Sequence, residues 1–159
     1  MKSFSEKLIA ENVVSLQNHI TDKFFDLSRK SNLINGIQIC PSSFELTLLD
    51  TNNQNMSPNR LSAGERQLLA IATLWGLAEA SGREIPTVID TPLGRLDGEH
   101  RTKLINNYFP NASSQVILLS TDEEITGQYY QQLKPATCRE YNIVYNEQEQ
   151  TSTITEGYF

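Results

Sequence analysis

The stretch from residue 63 to residue 90 constrains the fold more than any other. Ala63–Ser81 carries Leu68, Leu69, Ile71, Ala72, Leu74, Trp75, Leu77 and Ala78, which is apolar nearly all round a helix and predicts deep burial. Ser81-Gly82 supplies a stop. Thr87-Val88-Ile89 then forms a short apolar run without alternation, the pattern of a strand covered on both faces. It ends at Asp90, and Pro92 prevents its continuation. Residues 98–108 read as a second helix and Val116–Leu119 as a second covered strand, ending at Ser120. Helix, strand, helix, strand predicts an α/β layer around a short parallel sheet, with helices on both sides. Ligands of such sheets bind beyond the carboxyl ends of the strands.

The flanks add helix and hairpins. Over residues 3–31, Phe4, Leu8, Val13, Leu16, Ile20, Phe24 and Leu27 recur every three to five positions. That is one long helix with a single apolar stripe, suited to a sheet or a partner helix. Asn35-Gly36 closes the region with turn chemistry. Residues 37–40 and 44–49 predict a hairpin around Pro41-Ser42-Ser43, with Phe44, Leu46 and Leu48 alternating against Glu45 and Thr47. The polar residues 51–59 read as a surface loop. Residues 122–133 begin as a helix, and residues 141–145 and 151–155 read as a closing hairpin.

The 159 residues amount to one domain, and 38% hydrophobic content excludes a disordered tail. The longest apolar runs fall far short of the roughly 20 residues of a membrane span, so no membrane role is expected. Cys40 and Cys138 are the only cysteines. They form no zinc spacing and no disulfide framework, which points to a reduced, cytoplasmic setting. The net charge of −6 is concentrated after residue 110, where two basic residues face seven acidic ones. That part should repel a phosphate backbone.

Three places at the expected ligand edge carry chemistry. Asp90 and Thr91 end the first strand, Ser120-Thr121-Asp122 end the second, and Leu61-Ser62-Ala63-Gly64-Glu65 opens the buried helix. Ser62 with Glu65 is a capping box, S-x-x-E, which by itself needs no ligand. Gly64 is different. In the first turn it sacrifices helix propensity, which makes sense where something approaches the backbone closely; the helix start then grips a phosphate. Asp90 is either a turn residue or a carboxylate holding a water of Mg²⁺. Asp97 suits an N-cap of the next helix, and Thr121 with Glu124 is another possible capping box. Arg95 and Arg101 read as solvated, though within reach of a phosphate. His19 and His100 have no ligand spacing, and no G-x-S-x-G occurs.

In order and spacing these pieces resemble the ABC signature motif in its SMC-class form (Leu61-Ser62-Ala63-Gly64-Glu65-Arg66-Gln67), a Walker B strand (Thr87-Val88-Ile89-Asp90), a D-loop (Leu93-Gly94-Arg95-Leu96-Asp97) and a switch region (residues 118–124). The run from Val88 to Asp97, with Tyr108-Phe109-Pro110-Asn111-Ala112 and residues 115–121, is similar to the C-terminal end of the DndD family, the SMC-like ATPases of bacterial DNA phosphorothioation (sulfur modification). The resemblance is dense from about residue 61 to residue 125 and looser before.

That resemblance implies the C-terminal lobe of a split ATPase head. Residues 1–32 would be the helix at the root of the coiled coil, and residues 33–159 the lobe itself. No G-x-x-x-x-G-K-[ST] exists in the chain, so the Walker A loop is expected in an N-terminal lobe of the same protein. Two heads would close around ATP and Mg²⁺. Ser62, Gly64 and Glu65 would face the nucleotide of the opposite head, Asp90 would complete the Mg²⁺ shell, Asp97 would cross the dimer interface, and Thr121 would occupy the switch position. The implied partners are the N-terminal lobe, a second head in a homodimer, DNA through the full-length protein, and other sulfur-modification proteins. Thr91 stands where ABC ATPases carry a glutamate that polarises water; either another carboxylate serves, with Asp97, Asp122 and Glu123 as candidates, or hydrolysis is slow. By itself the chain is expected not to hydrolyse ATP.

Overall fold

A computed structural model of the chain describes residues 2–28 and 34–158. The chain opens with helix α1, Lys2–Leu27, followed by strands β1, Gly36–Ile39, β2, Leu46–Leu49, and β3, Asn55–Met56. Helix α2 spans Ala63–Ser81 and strand β4 Thr87–Asp90. Helix α3, Gly98–Lys103, continues as a π-helical turn over Leu104–Tyr108 into strand β5, Val116–Leu119. Helix α4, Gly127–Leu133, precedes strands β6, Tyr141–Asn146, and β7, Thr151–Glu156. The strands form three separate sheets: antiparallel β1-β2-β3, parallel β4-β5, and the antiparallel hairpin β6-β7. This is the α/β arrangement of helices, a short parallel sheet and hairpins that the sequence predicts.

The core gathers around the contact of α1 with α2 and is completed by β1, β2, the loop after β4 and the π-helical turn. The stripe of α1 buries Val13, Ile20, Phe24 and Leu27, whereas Phe4 and Leu8 stay exposed. So the stripe is used only over the later turns. Residues 29–31, the expected end of this helix, lie outside the described residues. From α2, Leu68, Ala72, Trp75 and Gly76 face inward. Gly76 is where the two helices touch: a Cβ there would lie 2.7 Å from Ile20 Cγ1 and 2.9 Å from Ile20 N. Glycine at this point lets one backbone rest on the other. A polar rim closes the contact, with Glu79 Oε2 3.2 Å from Lys23 Nζ and 3.1 Å from His19 Nδ1. Lys23 Nζ also sits 4.4 Å from the centroid of the Trp75 ring. The helix stops where the sequence places the stop, with Gly82 left-handed at φ 60° and its N–H on the Glu79 carbonyl.

Several expectations are corrected. Leu74 and Leu77 are exposed, so α2 is buried on one side only. Val88, Ile117 and Leu119 are also exposed, at 60%, 42% and 46%. The β4-β5 ribbon therefore has one covered and one open face within this chain; the lack of alternation reports a face that this chain alone does not cover. Residues 51–59 are not a bare loop, because Asn55-Met56 pairs with Leu48-Leu49 and Pro58–Arg60 makes a 3-10 turn. Met56 is buried, a lone apolar residue in a polar run whose weight the composition hides. Phe44 lies outside β2, exposed and left-handed at φ 57°, so its place in the alternation was coincidental. Gly36 lies within β1, and Asn35 N–H reaches the Leu49 carbonyl at 2.8 Å, extending the ladder where a turn was expected. After β5 the helix begins only at Gly127.

Candidate functional site

The turn at Ser62, which opens α2, is built as a complete capping box. Ser62 Oγ accepts from Glu65 N–H at 3.2 Å, and Ser62 N–H donates to Glu65 Oε2 at 2.8 Å. Glu65 is thus occupied with the cap. Capping does not exhaust Ser62: its hydroxyl proton remains for an external acceptor, and the residue is exposed. The box satisfies the N–H groups of Ser62 and Glu65, and the first intrahelical bond is Arg66 N–H to Ser62 O at 3.0 Å. Ala63 and Gly64 therefore hold the helix-start N–H groups that have no acceptor inside a helix.

Gly64 meets the loop after β4 at Arg95 and Leu96. A Cβ on Gly64 would lie 3.4 Å from the Arg95 carbonyl oxygen and 3.6 Å from Leu96 Cδ2, which is ordinary contact. Packing within the chain thus leaves room for alanine here, in contrast with Gly76. Between these two segments opens a cleft of about 520 Å³, lined by Ala63, Arg66, Gln67, Thr91, Gly94 and Arg95. The structure so brings the start of α2 and the loop after β4 to one place, although they are remote in sequence.

The loop after β4 is held in an unusual path. Thr91 and Arg95 both have left-handed backbones, at φ 51° and 62°. Thr91 N–H donates to the Leu119 carbonyl at 3.0 Å, extending the parallel register by one residue. Its hydroxyl donates to Asp90 Oδ1 at 3.3 Å. Pro92 and Leu93 are fully buried and fix the loop from below.

Asp90 sits exposed at the end of β4. Among the described residues no three His, Cys, Asp or Glu side chains gather as a metal cluster. A divalent cation at Asp90 would have to take its other ligands from water or from a bound phosphate. Asp97 caps α3: its Oδ1 accepts from His100 N–H at 3.0 Å and lies 3.1 Å from His100 Nδ1. Thr121 is exposed, and its N–H donates to Glu124 Oε2 at 3.3 Å.

Glu124 is the group that the sequence undervalues. Its other oxygen accepts from Leu93 N–H at 3.3 Å, so one carboxylate ties the turn after β5 to the loop after β4. The S/T-x-x-E spacing signals only the local half of this role. Arg101 is not solvated as expected; its Nε donates to the Leu96 carbonyl at 2.9 Å. Ser120 is tied to the chain's end through Tyr158, hydroxyl to hydroxyl at 2.9 Å, and Tyr158 stacks on Tyr130 with centroids 5.0 Å apart. Tyr130 and Lys134 both bond Glu140, at 3.2 and 2.7 Å. The Glu140 bond, with help from Tyr130, raises the Lys134 ammonium above its ordinary pKa. Among the described residues no helix is long and apolar enough to cross a membrane.

The sequence matches no family model and no curated protein. Solved structures do resemble it. A chain from work on ATP-driven dimerization and DNA-stimulated activation of SMC ATPases superposes with a TM-score of 0.69 at 12% identity, over 96% of this chain and 89% of that one. The Smc head domain with a coiled coil and joint from Pyrococcus yayanosii gives 0.63 at 14% identity, over 90% of this chain and 26% of that one. The SMC head domain from Thermotoga maritima gives 0.55 at 14% identity, over 97% and 52%. This chain thus spans about a quarter and about half of those two chains. At these identities the likeness is one of fold: the chain folds as SMC head domains do.

Proposed function

We propose that this chain is the C-terminal half of an SMC-like ATPase head, which grips from the far side a nucleotide cradled by another head. The observation that carries the reading is the meeting of the signature turn and the D-loop segment around one open, polar cleft, on the fold of an SMC head. Ser62 contributes a hydroxyl proton, Ala63 and Gly64 contribute backbone N–H groups, and the end of a 19-residue helix contributes its positive pole. Bound ATP with Mg²⁺ would supply the reacting phosphoryl group and its charge neutralisation. The chain's own part is positioning: Asp90 as a metal ligand, Asp97 as the cap that sets α3 beside the interface, and Thr121 at the switch.

The missing lobe is part of the proposal. Val88, Ile117 and Leu119 form an apolar face at the open side of β4-β5, and the Walker A lobe of the same protein is the segment we assign to it. Residues 1–32 then lead into the coiled coil, and a second copy supplies the opposing head. ATP acts as the bias between separated and closed heads. The assignment to DNA phosphorothioation, with DNA and sulfur-modification proteins as partners in the cytoplasm, rests on the sequence resemblance over residues 88–121 alone. Another SMC-like DNA repair or phage-defence ATPase is the alternative within the class.

The completed capping box favours a second reading, a non-catalytic assembly module in which Ser62 and Glu65 serve the helix and nothing else. Gly64→Ala separates the two. The methyl fits the chain, so the variant head stays folded with a melting temperature close to wild type. The nucleotide reading expects ATP-dependent head association to be lost, measured by sedimentation with ATP and with ADP. Association that is unchanged by the methyl overturns it.

A further inference from the structure

We propose that Arg95 is a phosphate-contacting residue, which lends its guanidinium to the outer phosphate of a nucleoside triphosphate lying against the signature turn. The inference deepens the nucleotide reading above and rests on it. Its first support is conformational. Arg95 follows Gly94 and has a left-handed backbone at φ 62°, a position that glycine takes freely and that a side chain occupies only under strain. Strain of this kind, held in a loop clamped by buried Pro92 and Leu93, points to a side chain kept for its chemistry.

The second support is electrostatic. The lining of the cleft holds two arginines and no carboxylate. The acids around the cleft have other bonds: Glu65 in the cap of α2, Asp97 with His100, Glu124 with Leu93 and Thr121, and Asp90 with the Thr91 hydroxyl. Arg66 spends one nitrogen on the Leu61 carbonyl. Among the described residues the Arg95 side chain makes no hydrogen bond and no ion pair. An uncommitted guanidinium at an open cleft without acid suits a multiply charged, oxygen-rich ligand, which it meets with paired N–H donors.

The outer phosphate of a triphosphate brings the most charge to a guanidinium. Arg95 therefore favours the triphosphate over the diphosphate, and acts as the element by which this lobe senses the outer phosphate.

The test compares ATP-dependent association of the complete head in wild type, Gly64→Ala, Arg95→Gly and Arg95→Lys, with ADP as control. Arg95→Gly relaxes the left-handed backbone, so its melting temperature stays at or above that of wild type. Its half-maximal ATP concentration for association rises about tenfold or more, the scale of a lost charged hydrogen bond. Arg95→Lys, which keeps the charge, recovers part of that loss, and added salt weakens wild type more than Arg95→Gly. If Arg95→Gly associates at the wild-type ATP concentration while Gly64→Ala does not, the role of Arg95 is overturned and the nucleotide reading stands. If the wild-type head ignores ATP, both fall together.

Discussion

Gly76→Ala tests the packing on which the site rests. The added Cβ would lie 2.7 Å from Ile20 Cγ1, 2.9 Å from Ile20 N and 3.0 Å from Ile20 Cα. Two of those three atoms are backbone, so no side-chain rotation clears the space. The helices must part by several tenths of an ångström, which also loosens Ile20, Ala72 and Trp75. Alanine returns up to ~1 kcal/mol of helix propensity, while overpacking a closed core costs about 1–3 kcal/mol and lies at the upper end when backbone is the obstacle. The net loss is about 2 kcal/mol, which for a chain of this size lowers the melting temperature by roughly 4–8 °C. Trp75 is the only tryptophan and adjoins the substitution, so urea unfolding followed by its fluorescence reads the change directly. Gly64→Ala is the internal control, because its methyl meets only ordinary contacts at 3.4 and 3.6 Å. A Gly76→Ala chain that unfolds at the wild-type urea midpoint would show that the α1–α2 contact is not closed, and the reasoning would fail.

Two further predictions concern titration. Burial pushes the Tyr108 phenol above its ordinary value of 10.0, so the native state holds that proton more tightly than the unfolded chain does. Stability is intact below about pH 10 and declines as pH rises past it; Tyr108→Phe flattens that decline in urea unfolding across the alkaline range. Hydrogen bonds from Ser42 first and Ser43 next lower the Cys40 thiol from 9.0 to about 6, with Sγ 3.1 Å from Ser42 Oγ. Iodoacetamide should therefore alkylate Cys40 with a rate that levels off above a midpoint near pH 6, and Ser42→Ala should move that midpoint up. A midpoint unmoved by the substitution would dismiss the serine as its cause.

The order of elements was legible because their periodicities are strong. The α2 helix and its stop at Gly82 follow from local chemistry and match residue for residue. The parallel ribbon, too, was visible as two apolar runs, each closed by a polar residue. What the sequence concealed was nonlocal. Val88, Ile117 and Leu119 read as core because hydrophobicity records what a strand is made to be packed by, not which segment does the packing. Met56 escaped notice because one buried residue cannot outweigh a polar run. Glu124 looked like half of a local cap, and only the fold places its second oxygen against Leu93. Gly64 and Gly76 are indistinguishable as letters; one faces an open cleft and the other a backbone.

The bare side of β4-β5 bears on how such a chain matures. Two parallel strands joined through α3 pair only after a long loop has closed, which makes the ribbon a late and slow element. Until Val88, Ile117 and Leu119 are shielded, it presents greasy side chains beside unpaired edges, the combination that recruits chaperones or seeds aggregates. If the lobe proposed above covers this face, yield in soluble form should depend less on this chain's own core than on whether that lobe meets it in time.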